Sequence, residues 1–174
     1  MAIDFSGPEV NSIELALEAA RPGGWQRLDA VVLEPFSTIR PRAGWGLKVP
    51  DGQFAASTVD QLYVLIDAAF PVSEPRIVAP AMALGDWPHV ERGGVLCLRG
   101  TSWAATPGDR VLRAVADAGD VLDLSEADRT AEFAREFATY WGQYASSGAD
   151  TPLFIALMAP NPPDAEIFFA RCAG

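Results

Sequence analysis

The chain has 174 residues, with 13 basic against 23 acidic side chains, a formal net charge of −10, one histidine and two cysteines. That surplus of acid repels phosphates and disfavours a nucleic-acid partner. One His and two Cys fall short of the four ligands of a structural zinc site, and a serine-type triad would have to use His89.

A hydrophobic share of 49% is too high for disorder and is enough for one sizeable core. The opening residues MAIDFSGPEVN lack the basic region and apolar run of a secretory signal, and no apolar run approaches the roughly 20 residues of a membrane span. Cys97 and Cys172 form no recognisable disulfide pattern. These features predict a cytoplasmic protein with reduced thiols and no membrane association.

In chain order, Glu9 to Arg21 reads as a helix, with Ile13, Leu15, Leu17 and Ala20 as its apolar face and Pro22-Gly23-Gly24 ending it. Strands are expected at Leu28 to Leu33, Trp45 to Val49, Gln61 to Ala68 and Arg76 to Ala79. The run Leu62-Tyr63-Val64-Leu65-Ile66 has the β-branched and aromatic content of a central strand. Pro75 and Pro80 bound the fourth strand.

From Pro80 to Thr106 no period is visible, and this stretch holds His89, Cys97, Trp87, Trp103 and Gly93-Gly94. A long apolar loop inside a compact domain points to function. Helical spacing resumes at Pro107, with Val111, Leu112, Val115 and Ala118 on one face. Ser125 is placed to cap a second helix, with Asp128 as its partner. In that helix Phe133, Phe137, Tyr140, Trp141 and Tyr144 form a stripe expected to pack as core, and Ser146-Ser147-Gly148 ends it.

Leu153 to Met158 and Ile167 to Ala170 read as two further strands around Pro160-Asn161-Pro162-Pro163. The expected class is α+β, with helices flanking a four-stranded antiparallel meander. Residues 1–148 are expected to form one domain and 149–174 a C-terminal extension, either a terminal hairpin or the start of a linker to a further domain.

A lone cysteine flanked by Val95, Leu96 and Leu98 would by itself read as a buried, inert residue. Its wider context reads differently. Phe70-Pro71-Val72-Ser73-Glu74-Pro75, then Trp87-Pro88-His89 and Gly93-Gly94-Val95-Leu96-Cys97-Leu98, with Trp103 and a helix from Pro107 downstream, resembles the ubiquitin-conjugating enzyme (UBC-like) family. That family has a Tyr-Pro…Pro element, a His-Pro-Asn tripeptide and an Ile-Cys-Leu around its catalytic cysteine. Pro88 precedes Cys97 by nine residues, the family's spacing, so Trp87 stands at the motif histidine and His89 at the motif asparagine. The resemblance covers about residues 9 to 145. The Trp-Pro-His variant is more similar to bacterial members that occur beside, or fused to, ThiF-type adenylating enzymes, several of them in CBASS antiphage operons.

The resemblance implies an N-terminal helix, the meander, an active-site loop and two C-terminal helices. It implies a carrier enzyme whose Cys97 thiol accepts a C-terminal glycyl group as a thioester from a ThiF-type activating enzyme and passes it to an amine. The acyl donor would be a ubiquitin-like protein or the C-terminus of a cGAS-like nucleotidyltransferase, and no cofactor is expected on this chain. Thiolate is the attacking species in such chemistry. His89, as counterpart of the motif asparagine, would donate to the carbonyl oxygen, accept the amine's proton or simply fasten the loop. Cys172 reads as structural, and the charges of Arg92 and Arg99 as solvated. A non-catalytic binding module of the same fold and a Cys-His thiol hydrolase remain open as alternatives.

Overall fold

A computed structural model describes residues 7–98, 100 and 106–145, together with the short strands 154–155 and 170–171; for 137–145 it gives the helix backbone alone. Arg99, Trp103, Cys172 and the side chains of Phe137, Tyr140, Trp141 and Tyr144, all singled out above, lie outside the described residues. The chain divides into two compact units, Met1–Ala134 and Arg135–Gly174. In the second unit β5 (Phe154–Ile155) pairs antiparallel with β6 (Ala170–Arg171), two residues each.

The first unit is the expected α+β arrangement. Helix α1 (Pro8–Ala20) is followed by β1 (Trp25–Arg27), a short helix α2 (Ala30–Leu33), β2 (Pro41–Lys48), β3 (Gln61–Asp67) and β4 (Arg76–Val78), then by α3 (Pro107–Leu122) and the start of α4 (Glu126–Ala145), whose residues from Arg135 onward belong to the second unit. The sheet order is β1-β2-β3-β4, every pair antiparallel, with β3 central as its composition predicts.

Alternation along β3 sorts the core into two layers, because successive side chains of a strand leave on opposite faces. Leu62, Val64 and Ile66 join Ala43, Trp45 and Ile77 against α1 and α3, whereas Leu65 joins Val78 and Phe36 on the other face. On that second face Leu28, Leu33, Ile39, Tyr63 and Val95 complete the cover.

The first strand is not where the sequence reading put it. Leu28 to Leu33 is not a strand; the strand lies just before it, at Trp25–Arg27. The Asp29 carboxylate accepts hydrogen bonds from the amides of Val31 and Val32, both at 3.0 Å, and starts α2 there. A local N-cap thus overrides the β-branched preference of two valines. On α1 the buried face is Val10, Ile13 and Leu17, while Leu15 and Ala20 are exposed. At about 100° per residue, positions two apart cannot share a narrow stripe.

Helices α1 and α3 cross closely at Gly108, where a Cβ would stand 2.7 Å from both the Ala16 Cβ and the Ser12 carbonyl oxygen. Thr106 and Asp109 cap α3 reciprocally, side chain to backbone in both directions. On the buried face Val111, Ala114, Ala118 and Leu122 point inward, with Leu112 and Val115 half-buried beside them.

One charged side chain shares that face. Arg110 is 1% exposed. Its guanidinium donates to the carbonyls of Pro71 and Ser73, pairs with Glu74 at 2.9 Å and lies over the Phe70 ring. It therefore binds the turn after β3 to the helix that backs the sheet. Arg110→Ala removes donors from buried carbonyls and opens a cavity, so a loss of about 3 kcal/mol in unfolding free energy is expected in urea denaturation; a loss below about 1 kcal/mol would show that solvent replaces these contacts.

Candidate functional site

The segment that carries Cys97 is fastened to β4 by backbone hydrogen bonds. The amide of Ala79 donates to the Gly94 carbonyl and that of Leu96 to the Ile77 carbonyl, both at 2.8 Å, so Val95 stands opposite Val78 as in an added antiparallel strand. Extended backbone alternates its side chains. Leu96 is 2% exposed and enters the core, and its successor Cys97 faces outward, exposed and outside any disulfide among the described residues. The thiol thus projects from an apolar anchor and is not in the buried, inert position that its flanking residues alone suggest.

The approach of this segment to β4 depends on Gly94. A Cβ there would overlap the Ala79 carbonyl oxygen, and its φ of 76° lies in the left-handed region. Gly93, at φ 75°, makes the turn that precedes it.

The other side of the turn brings His89 alongside. The Cys97 amide donates to the His89 carbonyl at 2.7 Å, and Val90 bridges Leu96. His89 has φ 60°, one of two non-glycine residues of the described chain with positive φ. Among side chains with a Cβ, Asn, Asp and His accept that conformation most readily. Histidine is thus compatible with the backbone conformation that this position requires.

Trp87 and Pro88 are buried. The Trp87 indole donates its Nε1–H to the Val121 carbonyl at 2.7 Å, satisfying one of the acceptors left open in the last turn of α3. From α4 the Arg129 guanidinium lies over the Trp87 ring, 5.0 Å from its centroid. Ser125 caps α4 as expected, accepting from the Asp128 amide at 3.2 Å.

One helical turn beyond Arg129, Glu132 reaches His89: its Oε2 is 3.6 Å from Nε2, with both side chains about one-quarter exposed. Residues three apart share a helix face, so α4 meets Trp87 and His89 with one ridge. Glu132 lies outside the set of residues that sequence pattern singles out. Nothing in its neighbourhood marks it, because its meaning arises only when α4 packs on a loop far away in sequence.

Cys97, His89 and Glu132 line one cleft of about 680 Å³, together with Leu98, Gly100, Arg113, Asp117, Asp120, Val121 and Leu124. Arg113 pairs with Asp117 at 3.0 Å. The lining therefore carries three carboxylates against one guanidinium, a surface that attracts cationic groups. Among the described residues no group of three or more His, Cys, Asp or Glu side chains is placed to hold a metal ion. No helix of the described residues is long and apolar enough to cross a membrane.

A four-stranded antiparallel meander backed by helices, with a cysteine on a loop fastened to its last strand, defines the E2-like class of ubiquitin-conjugating folds. A family model for prokaryotic E2 family B matches residues 47–149, more than half of the chain and all of the loop just described, and the chain belongs to that family. No curated protein and no solved structure matches it.

The left-handed backbone at position 89 sets a test of this geometry. His89→Asn is expected to keep the thermal midpoint of the parent, whereas His89→Val should cost about 1–2 kcal/mol, a β-branched side chain being poorly tolerated at positive φ. Equal midpoints for the two variants would mean that the turn relaxes. Gly94→Ala, which collides with backbone rather than with a movable side chain, is expected to destabilise more than either.

Proposed function

We propose that residues 1–148 form a carrier domain in which Cys97 accepts a C-terminal glycyl group from a ThiF-type adenylating enzyme and passes it to an amine. The observation that carries this reading is the exposed Cys97 held backbone to backbone beside His89, in one cleft, within an E2-family chain. The thiolate attacks the partner's activated carbonyl, a C–S bond forms and the partner's leaving group departs. In the second step the amine nitrogen attacks the thioester carbonyl. A C–N bond forms, the C–S bond breaks, the electron pair returns to the Cys97 sulfur, and the amine's proton passes to the His89 ring. Imidazole suits proton transfer near neutral pH.

The acidic lining of the cleft fits an acceptor or partner surface that is basic. The Trp-Pro-His form of the loop supports a bacterial setting, either CBASS antiphage defence with a cGAS-like nucleotidyltransferase as donor or a bacterial ubiquitin-like conjugation system, in the cytoplasm.

The exposure of Cys97 weighs against a non-catalytic binding module, which has no need of an accessible thiol. A thiol hydrolase is the second reading, and Glu132 favours it by supplying a third group behind His89. The two differ in their dependence on activation: a carrier needs the adenylating enzyme and ATP, whereas a hydrolase turns over a thioester or peptide without them.

Incubation with the adenylating enzyme, donor and ATP is expected to give an adduct cleaved by thiol reductant and absent in Cys97→Ala. Persistence of that adduct in Cys97→Ala would overturn the proposal. His89→Asn is expected to form the adduct normally and to discharge it to an amine about 100-fold more slowly, the low end of a general base's contribution.

A further inference from the structure

We infer that Glu132 is a positioning residue that fixes the tautomer of His89, keeping the ring proton on Nε2 and leaving Nδ1 as the nitrogen with the lone pair. The inference deepens the carrier reading of Cys97 and rests on it for the step that the tautomer serves.

Three observations place Glu132 in this role. Its Oε2 lies 3.6 Å from Nε2, and both side chains line the cleft that contains Cys97. The separation exceeds that of a direct hydrogen bond, so the carboxylate acts on the neutral ring through its charge, which favours the proton on the nitrogen that faces it. Both ends are held. The His89 backbone is locked by its carbonyl bond from the Cys97 amide, and Glu132 stands one turn from Arg129, which lies on Trp87. Of the other carboxylates in the cleft, Asp117 is engaged by Arg113 and Asp120 is exposed on α3.

The chemistry then follows from the donor inventory. An ionised carboxylate only accepts, and a neutral imidazole has one protonated nitrogen and one acceptor nitrogen. A carboxylate facing Nε2 puts the proton there and makes Nδ1 the acceptor. When an amine attacks the Cys97 thioester, its proton transfers to Nδ1 as the C–N bond forms. The C–S bond breaks with its electron pair on sulfur, and the imidazolium left behind is charge-balanced by Glu132. The imidazolium then returns its proton to the thiolate or to water.

Because the chain contains a single histidine, ¹⁵N NMR of the full-length protein reads only one pair of ring nitrogens. At about pH 9, where an ordinary imidazole is neutral, the wild type is expected to show a protonated Nε2 and a lone-pair Nδ1. Glu132→Ala is expected to give a mixture of tautomers, and Glu132→Gln, whose amide oxygen keeps only a partial negative charge, to lie between the two. In single-turnover discharge of a preformed thioester to an amine, Glu132→Ala is expected to be slower by about tenfold or more, with thioester formation unchanged and Glu132→Gln in between. A wild-type ring protonated at Nδ1, a Glu132→Ala spectrum identical to wild type, or unchanged discharge would each overturn the inference. If no thioester forms at all, the carrier reading fails, and the NMR comparison still decides whether Glu132 sets the tautomer.

Discussion

The architecture of the site depends on one backbone constraint, the hydrogen-bonded docking of the Gly94–Leu96 segment along β4. A thiol on an irregular loop has no fixed direction. Once the loop is paired with a strand, it inherits the strand's alternation, and burial of Leu96 decides that Cys97 faces outward. The pairing is possible only because Gly94 has no side chain where the Ala79 carbonyl passes. The same strand is held from behind by Ile77 in the main core and from the front by Val78 in the smaller layer, so the loop rests on a rigid element.

The helices complete what the sheet begins. The C-terminal turn of α3 offers the Val121 carbonyl to Trp87, and the first turns of α4 bring Arg129 and Glu132 onto Trp87 and His89. Two consecutive helices, both distant in sequence from the loop, thus converge on a stretch of three residues. Trp87 does the fastening, and the neighbouring imidazole is left to face the cleft. The buried Arg110 plays the corresponding structural part at the other end of α3, tying the turn after β3 to the helix.

What could be read from the sequence follows from the range of the forces involved. The central strand, the two long helices, the Ser125 cap and the location of the cysteine loop rest on local pattern and spacing, and they are where the pattern placed them. The mistaken strand at Leu28 to Leu33 is also local in origin: valine preference is a weak term, and a single aspartate accepting two amides outweighs it. The α1 face departs from expectation at Leu15 because apolar character alone takes no account of the helical angle. Glu132 and the Trp87 bond to α3 could not be read at all. Each is a contact between segments that have no sequence mark of belonging together, and only the closing of α3 and α4 over the loop creates them.

The left-handed conformation of His89 has a consequence for how such a site changes over time. Backbone strain narrows the alphabet at that position to a few side chains, and those few, asparagine, aspartate, histidine and glycine, span a neutral donor, an acid, a titratable ring and nothing at all. A single nucleotide change can exchange one of these chemistries for another while the loop keeps its shape. The fold thereby offers a socket whose shape is set by the backbone and whose chemistry is set by the side chain placed in it.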